Sequence, residues 1–219
     1  MTLNTRQDLM AWRLREGTVV GVWFCLVYIG SNWLTSLRAA HEDLPSFALA
    51  ADAHVPFVPE AIFIYLSATP ALLSSLFILQ DRSQIRSLSI VLSIEIAIAG
   101  IVYAVWPVAA SQTPQGEVSA IFQFADNLNL TYNSFPSLHV ALFTTAAVVM
   151  MVPGQKARNI LLALWAASIA FSTLLTYQHS IADVVGGGVL AAGGVLLFHI
   201  LQANSAKRLA AHLDEAPFG

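Results

Sequence analysis

The stretch from Ser87 to Ala109, SLSIVLSIEIAIAGIVYAVWPVA, decides the fold class. Its 23 residues carry one charged side chain, Glu95, and show no alternation of apolar and polar positions. A helix needs about 20 mainly apolar residues to cross a bilayer. A strand of a membrane barrel needs period-two alternation. The stretch therefore reads as a spanning helix. Working outward, comparable runs lie at about 17–37, 57–79, 136–152, 159–177 and 180–201, the 136–152 run having a short apolar core from Leu138 to Val152. The expected fold is all-α: a polytopic membrane protein, one domain over residues 1–219, with six transmembrane helices in a bundle.

The whole chain agrees. Of 219 residues, 57% are hydrophobic and 11% charged, against about 45–50% and about 25% in soluble globular chains. That balance excludes a disordered chain, a coiled coil and a disulfide-stapled secreted domain, since Cys25 is the only cysteine. A net charge of −3 supplies no basic field for nucleic acid. The cations give a direction. Arg6, Arg13 and Arg15 precede the first run, and Arg82 and Arg86 lie between the second and third. Lys156 and Arg158 lie between the fourth and fifth, and Lys207 and Arg208 follow the sixth, leaving Arg38 alone on the other side. Cytoplasmic loops carry the Lys and Arg excess. Both termini are thus expected in the cytoplasm, in a bacterial inner membrane or its equivalent. The first run, with small residues Ala39 and Ala40 behind it, also has the layout of a signal peptide. Its length exceeds the 7–15 residues of such an apolar region, so a retained span is expected.

Ionisable residues at membrane depth are costly and mark function. Three occur in two stretches: His139 in Asn133-Ser134-Phe135-Pro136-Ser137-Leu138-His139, and His179 with Asp183 in Gln178-His179-Ser180-Ile181-Ala182-Asp183. Six spans bring both stretches to the extracytoplasmic face. His179 and Asp183 are four apart and share a face if helical. The carboxylate can then hold one ring nitrogen and leave the other as nucleophile or base. Pro136 suits a first helical turn and Ser134 or Ser137 an N-cap, so the fourth helix would offer amide groups to an anion. Such a set suits phosphoryl transfer, with the second histidine protonating the leaving oxygen. Spacing alone equally admits structural histidines, or two His and a carboxylate as a facial triad for a metal.

These stretches resemble the second and third motifs of the type 2 phosphatidic-acid phosphatase superfamily, which includes vanadium haloperoxidases and sphingomyelin synthases. The second motif, Pro-Ser-Gly-His, corresponds to Pro136-Ser137-Leu138-His139. The third, Ser-Arg, five residues, His, three residues, Asp, corresponds to Ser172-Thr173, His179 and Asp183. The resemblance implies that His179 forms a phosphohistidine, that Asp183 orients it, that His139 is the general acid, and that Ser137 helps hold the phosphate. It implies substrate contacts at Ser172, Thr173 and Gln178, and no metal or other cofactor. The cations of the family pattern are missing. Thr173 stands at the arginine of the third motif, and Trp106 and Ala99 stand at the cationic positions of the first, counted back from Pro107. Charge-assisted hydrogen bonds are roughly twice as strong as neutral ones, so a dianionic monoester loses more by this than a monoanionic diester. Phe135 to Ala141, Ser172-Thr173 and Gln178-His179, together with Val55-Pro56-Phe57-Val58-Pro59-Glu60 ahead of Tyr65-Leu66-Ser67, are similar to the inositol phosphorylceramide synthase (aureobasidin-resistance) type.

The expected activity is therefore phospho-headgroup transfer or phosphodiester cleavage on a phospholipid in the membrane. The alternatives are hydrolysis of a lipid phosphate monoester, of the phosphatidic-acid or isoprenyl-phosphate type, and a non-catalytic transporter or scaffold. Glu95 is expected to be hydrogen-bonded inside the bundle, and the glycines at 186–188, 193 and 194 to serve close helix packing. Pro70 is expected to kink the second span. Trp12, Trp106 and Tyr177 read as interfacial residues, and Arg38 as a snorkelling flank. His41, His54, His199 and His212 read as surface or packing residues. Glu42 to Pro56 reads as a surface element, and Ser111 to Ser134 as a loop covering the site.

Overall fold

The computed structural model describes residues 3–39, 44–108 and 112–214. His41, Glu42, Ser111 and the side chain of His212 lie outside them. Eight α-helices follow in chain order among the described residues: α1 Leu3–Ala39, α2 Ile62–Leu66, α3 Ala68–Ile78, α4 Arg82–Val105, α5 Ala120–Leu128, α6 Leu138–Val149, α7 Lys156–Leu175 and α8 Ile181–Asp214. Among the described residues five segments are long and apolar enough to cross a membrane: Asp8–Arg38, Pro59–Ile78, Arg82–Val105, Lys156–Leu175 and Ile181–Arg208. The chain is thus an all-helical protein with the character of an integral membrane protein.

The run expected as the fourth span, 136–152, forms only the 12-residue α6. At about 1.5 Å per residue it is roughly 18 Å long, against about 30 Å of hydrocarbon. Its ends are cut by local chemistry. Ser137 caps the start, its Oγ accepting from Val140 N at 3.4 Å. At the other end Arg158 Nη2 donates to the Met150 carbonyl at 2.7 Å, and Asn159 exchanges two bonds with the Val152 backbone. A short helix suffices here because α6 is enclosed, packing on α3, α4, α7 and α8, with eight of its side chains buried. Pro136 precedes the cap and is not in the first helical turn.

The second span breaks at Ser67, between α2 and α3, three residues before Pro70. Pro70 has no N–H for the Leu66 carbonyl four residues back, and its ring crowds that carbonyl, as expected of a kink at this proline. The glycines divide by role. A Cβ on Gly186 would come within 2.6 Å of Phe135, and one on Gly187 within 2.5 Å of the Ser137 carbonyl, whereas Gly188 and Gly193 face open space. Gly186 and Gly187 thus let α8 approach the start of α6. Gly194 makes room for Glu95, whose Oε1 accepts from Thr145 Oγ1 at 2.6 Å.

The bundle has one basic end. Arg13 donates to the Leu79 carbonyl at 3.0 Å, Arg86 lies 3.9 Å from Glu16, and Trp12 stacks under Arg15. At the opposite end Arg38 Nη1 donates to the Ala104 carbonyl at 2.6 Å. Tyr177 also belongs there, its hydroxyl donating to Val55 O, and Trp106 packs edge-on against Phe47. His54 and His199 are exposed.

Candidate active site

The starts of α6 and α8 meet at the end opposite the arginine-rich one. The Ser137 N–H donates to the Asp183 carbonyl at 3.0 Å, joining the two stretches backbone to backbone. His139 lies in the first turn of α6. His179 does not lie on α8 with Asp183, as shared helical spacing predicted. It precedes the helix, held where its N–H and that of Gln178 both donate to the Thr173 carbonyl, at 3.1 and 3.0 Å. Ser180 and Asp183 then form a reciprocal cap. Asp183 Oδ2 accepts from Ser180 N at 2.7 Å, and Ser180 Oγ accepts from Asp183 N at 3.3 Å. Asp183 therefore both starts α8 and faces the histidine.

The three ionisable residues converge. The rings of His139 and His179 are 6.3 Å apart between centroids. His179 Nδ1 lies 3.7 Å from Asp183 Oδ2, both side chains 4% exposed. His179 Nδ1 and Asp183 Oδ1 are the buried polar atoms here without a hydrogen-bond partner among the described residues. Closing 3.7 Å to about 2.9 Å would satisfy His179 Nδ1, and such bonds often tighten only when substrate binds. With Nδ1 turned to the carboxylate, Nε2 is the nitrogen left for chemistry.

A chain of neutral donors forms the other wall. Tyr65 stacks on His139 at 4.3 Å between centroids, and its hydroxyl lies 3.3 Å from His139 Nδ1. The Tyr65 hydroxyl donates to Asn129 Oδ1 at 3.0 Å, so its oxygen is free to accept from the imidazole. Tyr28 also donates to Asn129 Oδ1, at 3.4 Å. Asn129 Nδ2 donates to Gln178 Oε1, and Gln178 Nε2 donates to Asp126 Oδ1 at 2.9 Å. The donors run in one direction, from His139 through Tyr65, Asn129 and Gln178 to the Asp126 carboxylate.

Of the residues singled out from sequence, His139, His179, Asp183, Ser137 and Gln178 come together. Ser172 and Thr173 stand behind them, buried, each hydroxyl donating back into α7 at 2.7 Å. What Thr173 brings to the site is its carbonyl. Trp106, at an expected cationic position, is exposed, and Ala99 is buried. Tyr28, Asn129, Asp126 and Asp52 were not legible. Asp52 is 3% exposed, and its Oδ1 accepts from Ile181 N at 2.9 Å, so a carboxylate 129 positions away also caps α8. Its surroundings, Ala51-Asp52-Ala53, carry no spacing that announces this. The first-turn position of Asp183, behind a serine three residues earlier, was a readable capping signal. Among the described residues no group of three His, Cys, Asp or Glu side chains is arranged to hold a metal.

No curated protein and no solved structure matches this chain. Over residues 106–207, which hold His139, His179, Asp183 and the helices that carry them, the chain matches the family model described as PAP2 superfamily.

Proposed function

We propose that the chain is an integral-membrane enzyme that transfers a phospho-headgroup from one lipid to another, or cleaves a phosphodiester, through a phosphohistidine on His179. The observation that carries this is the meeting of His139, His179 and Asp183 beside a wall of amides and phenols that ends on the Asp126 carboxylate. His179 Nε2 attacks phosphorus. A P–N bond forms, the P–O bond to the lipid alcohol breaks, and protonated His139 gives its proton to the departing oxygen. Asp183 holds Nδ1 and offsets the positive charge that grows on the ring. An acceptor hydroxyl then attacks the phosphohistidine, His139 removes its proton, the P–N bond breaks and both histidines are restored. Ser137 and Gln178 are the proposed phosphate contacts, and Ser172 and Thr173 support them from behind. No step needs a metal.

The reading places six helices in the membrane, both termini in the cytoplasm and the site at the extracytoplasmic side. The sorting of cations to the opposite end supports it. Scarcity of cations near the histidines favours a monoanionic diester over a monoester.

The test is purified protein incubated with labelled phospholipids and lipid monophosphates, wild type against His179→Ala. The expected outcome is a headgroup moved between lipids, or released from a diester, with no turnover by the variant. Release of inorganic phosphate from monoesters alone would replace the transferase reading with a phosphatase one. Unchanged turnover by the variant would overturn the mechanism.

A further inference from the structure

Helix α5, Ala120–Leu128, lies beside the site and is sorted into three faces. At about 100° per residue, Ile121, Phe124 and Leu128 fall in one arc of about 60°, Phe122 and Ala125 in a second, and Gln123, Asp126 and Asn127 in a third of about 100°. The structure gives each arc a different neighbour. Phe122 and Ala125 are 1% and 2% exposed, packed with Ile62 and Tyr65 of α2. Ile121, Phe124 and Leu128 are 37%, 59% and 59% exposed although apolar. The polar three are also exposed.

An ordinary surface helix has two faces, one to protein and one to water. A third, apolar and uncovered, requires another medium. The helix under α5 belongs to the segment Pro59–Ile78, apolar enough to cross a membrane, and its Phe63 and Ile64 are 61% and 44% exposed. Apolar side chains are thus uncovered both on α5 and on the membrane-length segment it packs against. A second copy of the chain is a poor occupant. Three side chains offer less than the roughly 800 Å² per partner that a stable interface needs, and the polar arc beside them still calls for water.

We propose that α5 lies in the bilayer surface on the site side, where protein, lipid and water meet, with Ile121, Phe124 and Leu128 among the acyl chains. Its other residues reach the site. Asp126 accepts from Gln178, and Asn129, the residue after α5, takes the Tyr65 hydroxyl and donates to Gln178. The lipid surface therefore anchors the wall opposite the histidines. The placement stands on geometry alone, while its effect on turnover rests on the phosphohistidine reading.

The test uses full-length protein with Cys25→Ser, the exposed free cysteine, and one new cysteine carrying an environment-sensitive fluorophore, at Phe124 or Gln123. In phosphatidylcholine vesicles the label at 124 is expected to emit to the blue and to be quenched by chain-brominated phosphatidylcholine, and the label at 123 is not. Equal quenching at both sites overturns the placement, as does a shielded 124 label that brominated lipid leaves unquenched, the signature of a protein partner. Phe124→Ser is expected to raise KM for a long-chain vesicle substrate about tenfold. Its kcat on a dispersed short-chain analogue should be unchanged, and Phe124→Leu should restore the vesicle KM. Equal losses on both substrates overturn the anchoring role. If wild type turns over no lipid, the function reading fails while the quenching result still decides where α5 lies.

Discussion

Tyr65 is the residue on which the neutral wall turns. Its hydroxyl proton is committed to Asn129, which leaves its oxygen facing His139 Nδ1 and, in the proposed mechanism, leaves His139 Nε2 for the substrate. It touches no reacting atom in the proposed mechanism, so it is a positioning residue. Tyr65→Phe keeps the stacked ring and removes the acceptor. A single net hydrogen bond is worth about 1 kcal/mol, so turnover should fall about tenfold, with the limb of the pH–rate profile that reports His139 displaced. A loss of thermal stability with no change in that profile would make Tyr65 a packing residue only. Asp183 has two duties that one substitution separates. Asp183→Asn keeps an oxygen for the cap on Ser180 N but loses the charge beside His179. Turnover should fall by about 10²–10⁴-fold while the melting temperature stays near wild type, as turnover and calorimetry on one preparation would show.

At the scale of elements, the junction of α6 and α8 carries the most constraint. A Cβ on Gly187 would meet the Ser137 carbonyl at 2.5 Å, and that carbonyl cannot yield without moving the bond from Ser137 N to Asp183 O. Gly187→Ala should therefore cost about 1–3 kcal/mol and most of the activity. Gly188→Ala, in open space one residue on, should do neither; thermal melts and turnover of the pair check it. Legibility divided along the same line. The long apolar runs could be read because bilayer thickness imposes a length on each helix independently of its neighbours. The short apolar core of α6 could be read from Leu138 on, but not why so short a helix suffices, since enclosure by four helices is a tertiary fact. Nor could the loop from Ser111 to Ser134 be seen to contain α5, although Ser119, whose Oγ accepts from Phe122 N, and the apolar positions 121, 124 and 128 were a usable signal. His139, His179 and Asp183 were legible because each motif is local. Tyr28, Tyr65 and Asn129 reach the site from three separate elements, and no sequence spacing relates them.

For the whole molecule, the sorting of cations predicts a direction that labelling can check. With Cys25→Ser, Glu117→Cys should react in intact cells or right-side-out vesicles with a membrane-impermeant thiol reagent, and Ser205→Cys only after permeabilisation. The reverse pattern would invert the topology and put the site in the cytoplasm. The shortness of α6 has a consequence for the substrate. Its far end sits with the basic end of the bundle, where Arg158 holds Met150, so its start falls about 12 Å short of a full crossing. Tyr65, which touches His139, is likewise six residues inside the segment that begins at Pro59, about 9 Å along it. On the proposed topology the histidines lie below the headgroup layer, and a phosphate must leave that layer to reach them. The self-energy of an ion in a poorly polarisable medium grows as the square of its charge, so a dianion is opposed about four times as strongly as a monoanion on the way down. Depth, and not only missing arginines, would then sort diesters from monoesters before any bond is made.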